Sequence, residues 1–189
     1  MMRRSAAESL KGQTETLVEA ATAAAAWFRH PVPSALSAAR TARLRALGWR
    51  EAAVIAHKTF RGFAKADAAD VSIALREAVE HTTQAVSESA RFSVESDDGL
   101  LKIAEAVREA SVELAVAAAS RKKSRVDALL LAKKWAGEAE RLCRLTRSDA
   151  REEFSLMNAL KREAVSSRLS NAAEAMQQAC DALTGGLIG

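Results

Sequence analysis

The sequence predicts an all-α fold, six helices arranged as two tandem three-helix units. Three observations predict it: a composition of helix formers, chain breakers confined to a few points, and self-similarity at one fixed shift. Nearly half of the 189 residues are apolar (49%), but there are only three tryptophans, five phenylalanines and no tyrosine. Alanine, leucine, glutamate, arginine and lysine, which lose least on entering a helix, dominate the rest. β-Branched residues do not alternate with polar ones, so no strand period is present.

The breakers set the elements in order. The first helix is predicted from about Ser5 to Arg29 and stops at His30-Pro31-Val32-Pro33, because proline neither donates a backbone hydrogen bond nor tolerates the preceding turn. Ser34 is then expected to cap a second helix reaching about Gly62, with Gly48 weakening its middle. Asp67 opens a third, which is expected to end at Ser96-Asp97-Asp98-Gly99. The fourth runs from about Leu100 to Ala119, and Ser124 caps a fifth that reaches about Ser148. Ser155 caps the last, expected to stop at Gly185-Gly186.

Self-comparison supplies the tandem plan. A shift of 94 (154 − 60) puts Phe60 on Phe154, and the same shift puts Val71 on Val165, Ser72 on Ser166, Leu75 on Leu169, Ala78 on Ala172, Glu80 on Glu174 and Ala85 on Ala179. It also lays Val18 and Glu19 of the first helix on Val112 and Glu113 of the fourth. The whole of 1–189 is therefore expected as one domain, with repeat units of about 1–95 and 96–189. Each three-helix hairpin would leave an apolar face that the other copy covers.

Several functions find no foothold. His30, His57 and His81 are not spaced as a helical metal or catalytic pair, and His30 reads as a cap beside the prolines. Cys143 and Cys180 lie far apart and read as small core residues, not as a disulfide. There is no Gly-rich phosphate cradle and no serine elbow. The chain is therefore expected not to be an enzyme. No apolar run approaches the roughly 18 residues of a membrane span. The opening Met-Met-Arg-Arg-Ser is followed by Glu8, Lys11 and Glu15 instead of a signal-peptide core, so a cytoplasmic protein is expected, peripheral to a membrane at most.

Charge is more informative. The net charge is +4, and residues 1–94 hold all of it, with 13 basic and 9 acidic residues against 15 and 15 in the remainder. At about 100° per residue, Arg40, Arg43, Arg50, Lys58, Arg61 and Lys65 fall within a sector of about 80°. Trp49, Ala53, Ala56, Phe60 and Phe63, with Ala42 and Ala46, occupy the opposite, core-facing side. Leu36, Leu47 and Val54 fall inside the basic sector. That mixture suits an acidic protein partner or an anionic membrane surface. It also suits leucines packed on a neighbouring helix with basic side chains snorkelling around them.

The segment His57-Lys58-Thr59-Phe60 through Ala66-Asp67-Ala68-Ala69-Asp70-Val71 and Leu75-Arg76-Glu77-Ala78-Val79-Glu80 resembles the PhoU-like phosphate-transport accessory proteins. Glu138-Ala139-Glu140-Arg141-Leu142 resembles that family's fifth-helix signature, and Ala159 to Glu163 with Leu169 to Glu174 its sixth. The resemblance implies a six-helix bundle that regulates inorganic phosphate transport by docking on the transporter or its regulatory kinase. It also implies carboxylate-x-x-x-carboxylate pairs on four helices, which map to Ala42 and Ala46, Arg76 and Glu80, Ala136 and Glu140, and Ser170 and Glu174. The first acid is missing from all four pairs and the second survives in three. A multinuclear metal cluster lacks ligands here, so no cofactor is expected beyond a single weakly bound divalent ion at Glu138, Glu140 and Glu174, with Glu80 as the remaining degenerate position. The alternatives are a metal-free helical adaptor with another protein partner, and a basic bundle that binds anions or nucleic acid without sequence specificity. A homo-oligomer is compatible with all three.

Overall fold

The computed structural model describes the backbone of residues 6–57, 65–120, 122–150 and 155–188, and the side chains of 8–48, 69–120, 123–148 and 155–184. Helix is the only regular element among the described residues. The order is α1 (Ala6–Arg29), α2 (Pro33–His57), α3 (Lys65–Phe92), α4 (Asp98–Ala119), α5 (Lys122–Ala150) and α6 (Leu156–Ile188).

The helix ends show which local signals act. After Arg29 the His30 amide still donates to the Ala26 carbonyl (3.0 Å), and the prolines end α1 there. Pro33, not Ser34, begins α2. Proline suits the first helical position because its fixed φ is already helical and its missing N–H would have had no partner. The Val32 carbonyl accepts from Ala35 and Leu36 (3.1 and 3.4 Å), so Ser34 lies inside the first turn and does not cap it. Lys65 begins α3 two residues before Asp67, and α3 ends at Phe92, four residues before the expected turn. Ser93 takes a left-handed φ of 51° there, and the Val94 amide reaches back to the Ser89 carbonyl (3.0 Å). This is a Schellman-type stop built on serine where glycine is usual.

Asp97 caps α4: its Oδ1 accepts from the Leu100 amide at 2.9 Å. At the other end Arg125 of α5 donates Nε to the Ala117 carbonyl (3.1 Å) and Nη2 to that of Ser120 (2.9 Å). A cation on orphan carbonyls opposes the dipole at that terminus. It also locks the short α4–α5 turn, so α5 starts at Lys122 and Ser124 is inside it. Ser155 does cap α6, accepting from the Asn158 amide at 3.4 Å. Against expectation, α6 continues through Gly185 and Gly186 to Ile188. Glycine lowers helix propensity by about 1 kcal/mol, but it stops a helix only where the chain takes up the left-handed conformation.

Helices α1, α4, α6 and α3 form a closed ring, each packed on the next. On one side α2 lies against α1 and α3, and on the other α5 lies against α4 and α6. One continuous core runs through all six helices, and a small satellite of Ala23, Ala24, Ala39 and Val86 lies under Leu36. Its bulk comes from a few residues, among them Leu17, Phe28, Leu75, Ile103, Leu114, Leu169 and Met176, each almost fully buried. Burial of such a side chain contributes about 1.5–3 kcal/mol. Between them alanine lets the helices approach closely.

Buried hydroxyls are satisfied locally. Thr82 and Thr83 donate to the carbonyls of Ala78 (2.7 Å) and Val79 (2.9 Å), four residues back. Longer links hold helix to helix: Trp27 Nε1 donates to Ser89 Oγ (3.0 Å) between α1 and α3, and Gln13 Nε2 to Ser72 Oγ (3.1 Å). Arg168 of α6 pairs with Glu88 of α3 at 2.9 Å, and Arg29 of α1 with Glu105 of α4 at 2.6 Å.

Candidate interaction surfaces

Two seams would carry the four degenerate acid pairs, α2 with α3 and α5 with α6. In the first, Ala42 and Ala46 are core residues, and Glu80 is engaged by its own chain. Arg43 of α2 stands 3.8 Å from its Oε1, and Gln84 Nε2 donates to it at 3.1 Å. In the second, Ala136 is fully buried, Glu140 accepts from Gln177 Nε2 (2.9 Å), and Arg144 lies at 3.9 Å.

Glu138 turns away from that seam. It binds Arg141 through both carboxylate oxygens, at 2.7 and 2.6 Å. Those hydrogen bonds, with the positive charge of Arg141, hold its carboxyl below the usual glutamate range. Glu174 is exposed. Glu138, Glu140 and Glu174 are not brought together: among the described residues no three His, Cys, Asp or Glu side chains are grouped to hold a metal ion. Residues two apart on a helix point about 160° from one another, so Glu138 and Glu140 cannot share one ion.

The cysteines are free and buried. Burial pushes both thiols up to about 12, and Cys143 Sγ donates to the Ser166 carbonyl at 3.4 Å. A thiol with that pKa is almost wholly protonated at neutral pH and a poor nucleophile. His30 is exposed, and the Nδ1 of half-buried His81 is shielded without a hydrogen-bond partner among the described residues. His57 ends α2, with its side chain outside the described residues. A cavity of about 410 Å³ opens where the α3–α4 turn meets the start of α6. Its lining balances Lys161 and Arg162 against Glu95 and Asp97, and Arg162 is already paired with Asp97 at 2.6 Å.

The basic stripe is described at two of its six side chains. Arg40 and Arg43 are exposed on α2, and Leu44 and Leu47 beside them are 69% and 56% exposed. Leu36, by contrast, packs on the satellite core. Lys65 is the first residue of α3, so a single helical period does not extend from Arg40 to it. The side chains of Arg50, Lys58, Arg61 and Lys65, with those of Trp49, Ala53, Val54, Ala56, Phe60 and Phe63, lie outside the described residues.

Counting charge by helix reveals a pattern that counting by halves concealed. Four arginines against Glu51 on α2, and eight basic against four acidic residues on α5, give these two helices +7 of a chain whose total is +4. Everything else carries −3. The positive charge thus sits on the two helices that flank the ring, one on each side. On α5 it is interleaved with exposed Val126, Leu130, Leu131 and Leu145, a face that half-by-half counting missed. Comparison with protein-family models and with curated proteins gives no match for this chain.

Proposed function

We propose that this protein is an accessory or regulatory scaffold of inorganic phosphate transport, acting by protein–protein contact at the cytoplasmic face of the membrane. The reading rests on the resemblance of about residues 40–185 to PhoU-like proteins. One observation of the fold supports it: the set of packed helix pairs is unchanged when α1, α2 and α3 are exchanged for α4, α5 and α6. A duplicated three-helix unit has that property. The pairs α1–α4 and α3–α6 map onto themselves, and every other pair maps onto another.

The burial register gives further support and refines the repeat. Val71 and Val165, Leu75 and Leu169, Ala78 and Ala172, and Ala85 and Ala179 are buried in corresponding places, each pair 94 apart. In the flanking helices the buried Ala35, Ala39, Ala42 and Ala46 correspond instead to Ala132, Ala136, Ala139 and Cys143, each 97 apart. The second flanking helix is thus offset by about one turn. In either register its core-facing positions carry no pair of acids.

The engagement of Glu80 by Arg43 and of Glu140 by Gln177 favours a second reading, a metal-free adaptor that keeps the scaffold and has another protein partner. Deletion of the gene separates the two. Loss of phosphate-responsive expression or altered phosphate uptake supports the transport role, and unchanged phosphate physiology refutes it. Affinity capture with the full chain then tests contact itself: loss of the captured partner on Arg40→Ala with Leu47→Ala is expected, and capture indifferent to both changes would reject α2 as the contact face.

A further inference from the structure

The outer face of α5 carries a seam on which no other described helix packs. Val126, Leu130, Lys134, Gly137, Arg141 and Leu145 recur at intervals of four, four, three, four and four, the spacing that keeps residues on one side of a helix. Its inner side packs on α4 and α6, and among the described residues no other helix packs on α5. The apolar members are open to solvent: Val126 is 45%, Leu130 61% and Leu145 49% exposed.

Gly137 is the unexplained member. A glycine inside a long helix costs about 1 kcal/mol relative to alanine, and close approach of another backbone is one arrangement that makes use of it. Among the described residues nothing outside the helix's own backbone approaches: a Cβ at Gly137 would meet nothing within 4 Å. The seam therefore has a recess at its centre, apolar anchors towards both ends, and on either side of the recess the cation of Lys134 and the Arg141 guanidinium, which Glu138 already pairs.

We propose that this seam binds an acidic amphipathic helix of a partner protein. A helix laid along α5 places its backbone over Gly137 and its apolar residues on Leu130 and Leu145. Its carboxylates meet exposed Lys134 beside the recess, on a helix whose net charge is positive. A bilayer surface has no use for a recess one residue wide, and a basic helix would be repelled. The inference rests only on the reading that the chain acts through protein contact, so loss of the phosphate-transport role would leave it standing.

The test uses the full chain and a synthetic probe, a helix of about three heptads with leucine at a and d and glutamate at e and g. Binding is read by fluorescence polarisation at low salt. The wild type is expected to bind this probe and to bind the lysine counterpart at least about tenfold more weakly. Leu130→Glu and Gly137→Leu are each expected to weaken binding by about tenfold or more. Gly137→Leu should at the same time leave the melting temperature unchanged or raised, because it removes a helix-weakening residue from open space. A role in folding alone cannot give that opposition of signs. Absence of binding, equal binding of the two probes, or indifference to both substitutions overturns the proposal. So does a Leu130-dependent homodimer by light scattering, or Leu130-dependent sedimentation with vesicles of phosphatidylcholine and phosphatidylglycerol.

Discussion

Asp97 holds two helices at once: one carboxylate oxygen accepts from the Leu100 amide at the start of α4, and the other lies 2.6 Å from Arg162 Nη2 on α6. Both side chains are partly buried, so the pair escapes much of the screening that makes surface ion pairs nearly worthless. Loss of an aspartate cap costs about 0.5–2 kcal/mol, so Asp97→Ala should be the most damaging change at this turn. Asp97→Asn keeps the capping oxygen and loses only the charge, so it should fall well short of the alanine. Arg162 makes further contacts, so a double-mutant cycle in urea is needed to isolate the pair. A coupling energy of zero would show that the two act independently.

Two glycines predict opposite signs. A Cβ at Gly99 would meet Asp97 Oδ1 at 2.9 Å, the capping oxygen itself, and Thr146 Oγ1 at 3.0 Å. Gly99→Ala is therefore expected to disturb the α4 cap and destabilise the fold by about 1 kcal/mol or more. Gly48 on α2 meets nothing within 4 Å, so Gly48→Ala should stabilise by up to about 1 kcal/mol. In a chain of this size that separates the two melting temperatures by several degrees, about 2–4 °C per kcal/mol. Thermal unfolding of the two variants side by side decides it, and a destabilising Gly48→Ala would mean that α2 needs its glycine.

How far the sequence carries differs between fold and surface, for physical reasons. Breakers and propensity act locally, so six helices could be read directly, and errors arose where two local signals competed. Pro33 took the position assigned to Ser34, and Arg125 reached back to the α4 carbonyls and left Ser124 inside α5. The Ser93 stop was invisible because serine rarely takes a left-handed φ. The surface was harder. Leu36 and Leu47 share one sector of α2 by periodicity, yet one is covered by the satellite core and the other is exposed. Only knowledge of which helices neighbour α2 separates them. The α5 seam was missed because α5 belongs to a half whose charges cancel, 15 basic against 15 acidic residues.

Glu138 and Arg141 give a pH signature. The carboxyl is held low by two hydrogen bonds from the guanidinium. Whatever stability the pair contributes is therefore present above the ordinary glutamate range and lost as pH falls through the lowered value. The group is partly exposed, so the effect on stability should be small and the effect on titration visible. By NMR the Glu138 carboxyl should titrate below the ordinary glutamate value and return towards it in Arg141→Gln. A midpoint unmoved by that change would place the cause elsewhere.

The cysteines report on opening of the core. Burial raises both thiols from 9.0 to about 12, so in the folded state they hold their protons over a range where an unfolded chain begins to lose them. Their contribution to stability is full below about pH 9 and is lost as pH rises from there towards 12. At pH 8 the native protein should react with a thiol reagent only as fast as it opens, and two thiols per chain should appear at once in denaturant. Cys143 sits between α5 and α6 and Cys180 deeper along α6, so the two also distinguish local from global opening. If labelling of Cys143 alone is accelerated by Arg147→Ala, which removes the hydrogen bond to Ser167 at 3.0 Å, then the α5–α6 seam opens on its own. Equal rates for both thiols, tracking the urea dependence of unfolding, are expected if the six helices open as one unit. Rapid labelling of both in the native state would mean that the core is not closed over them.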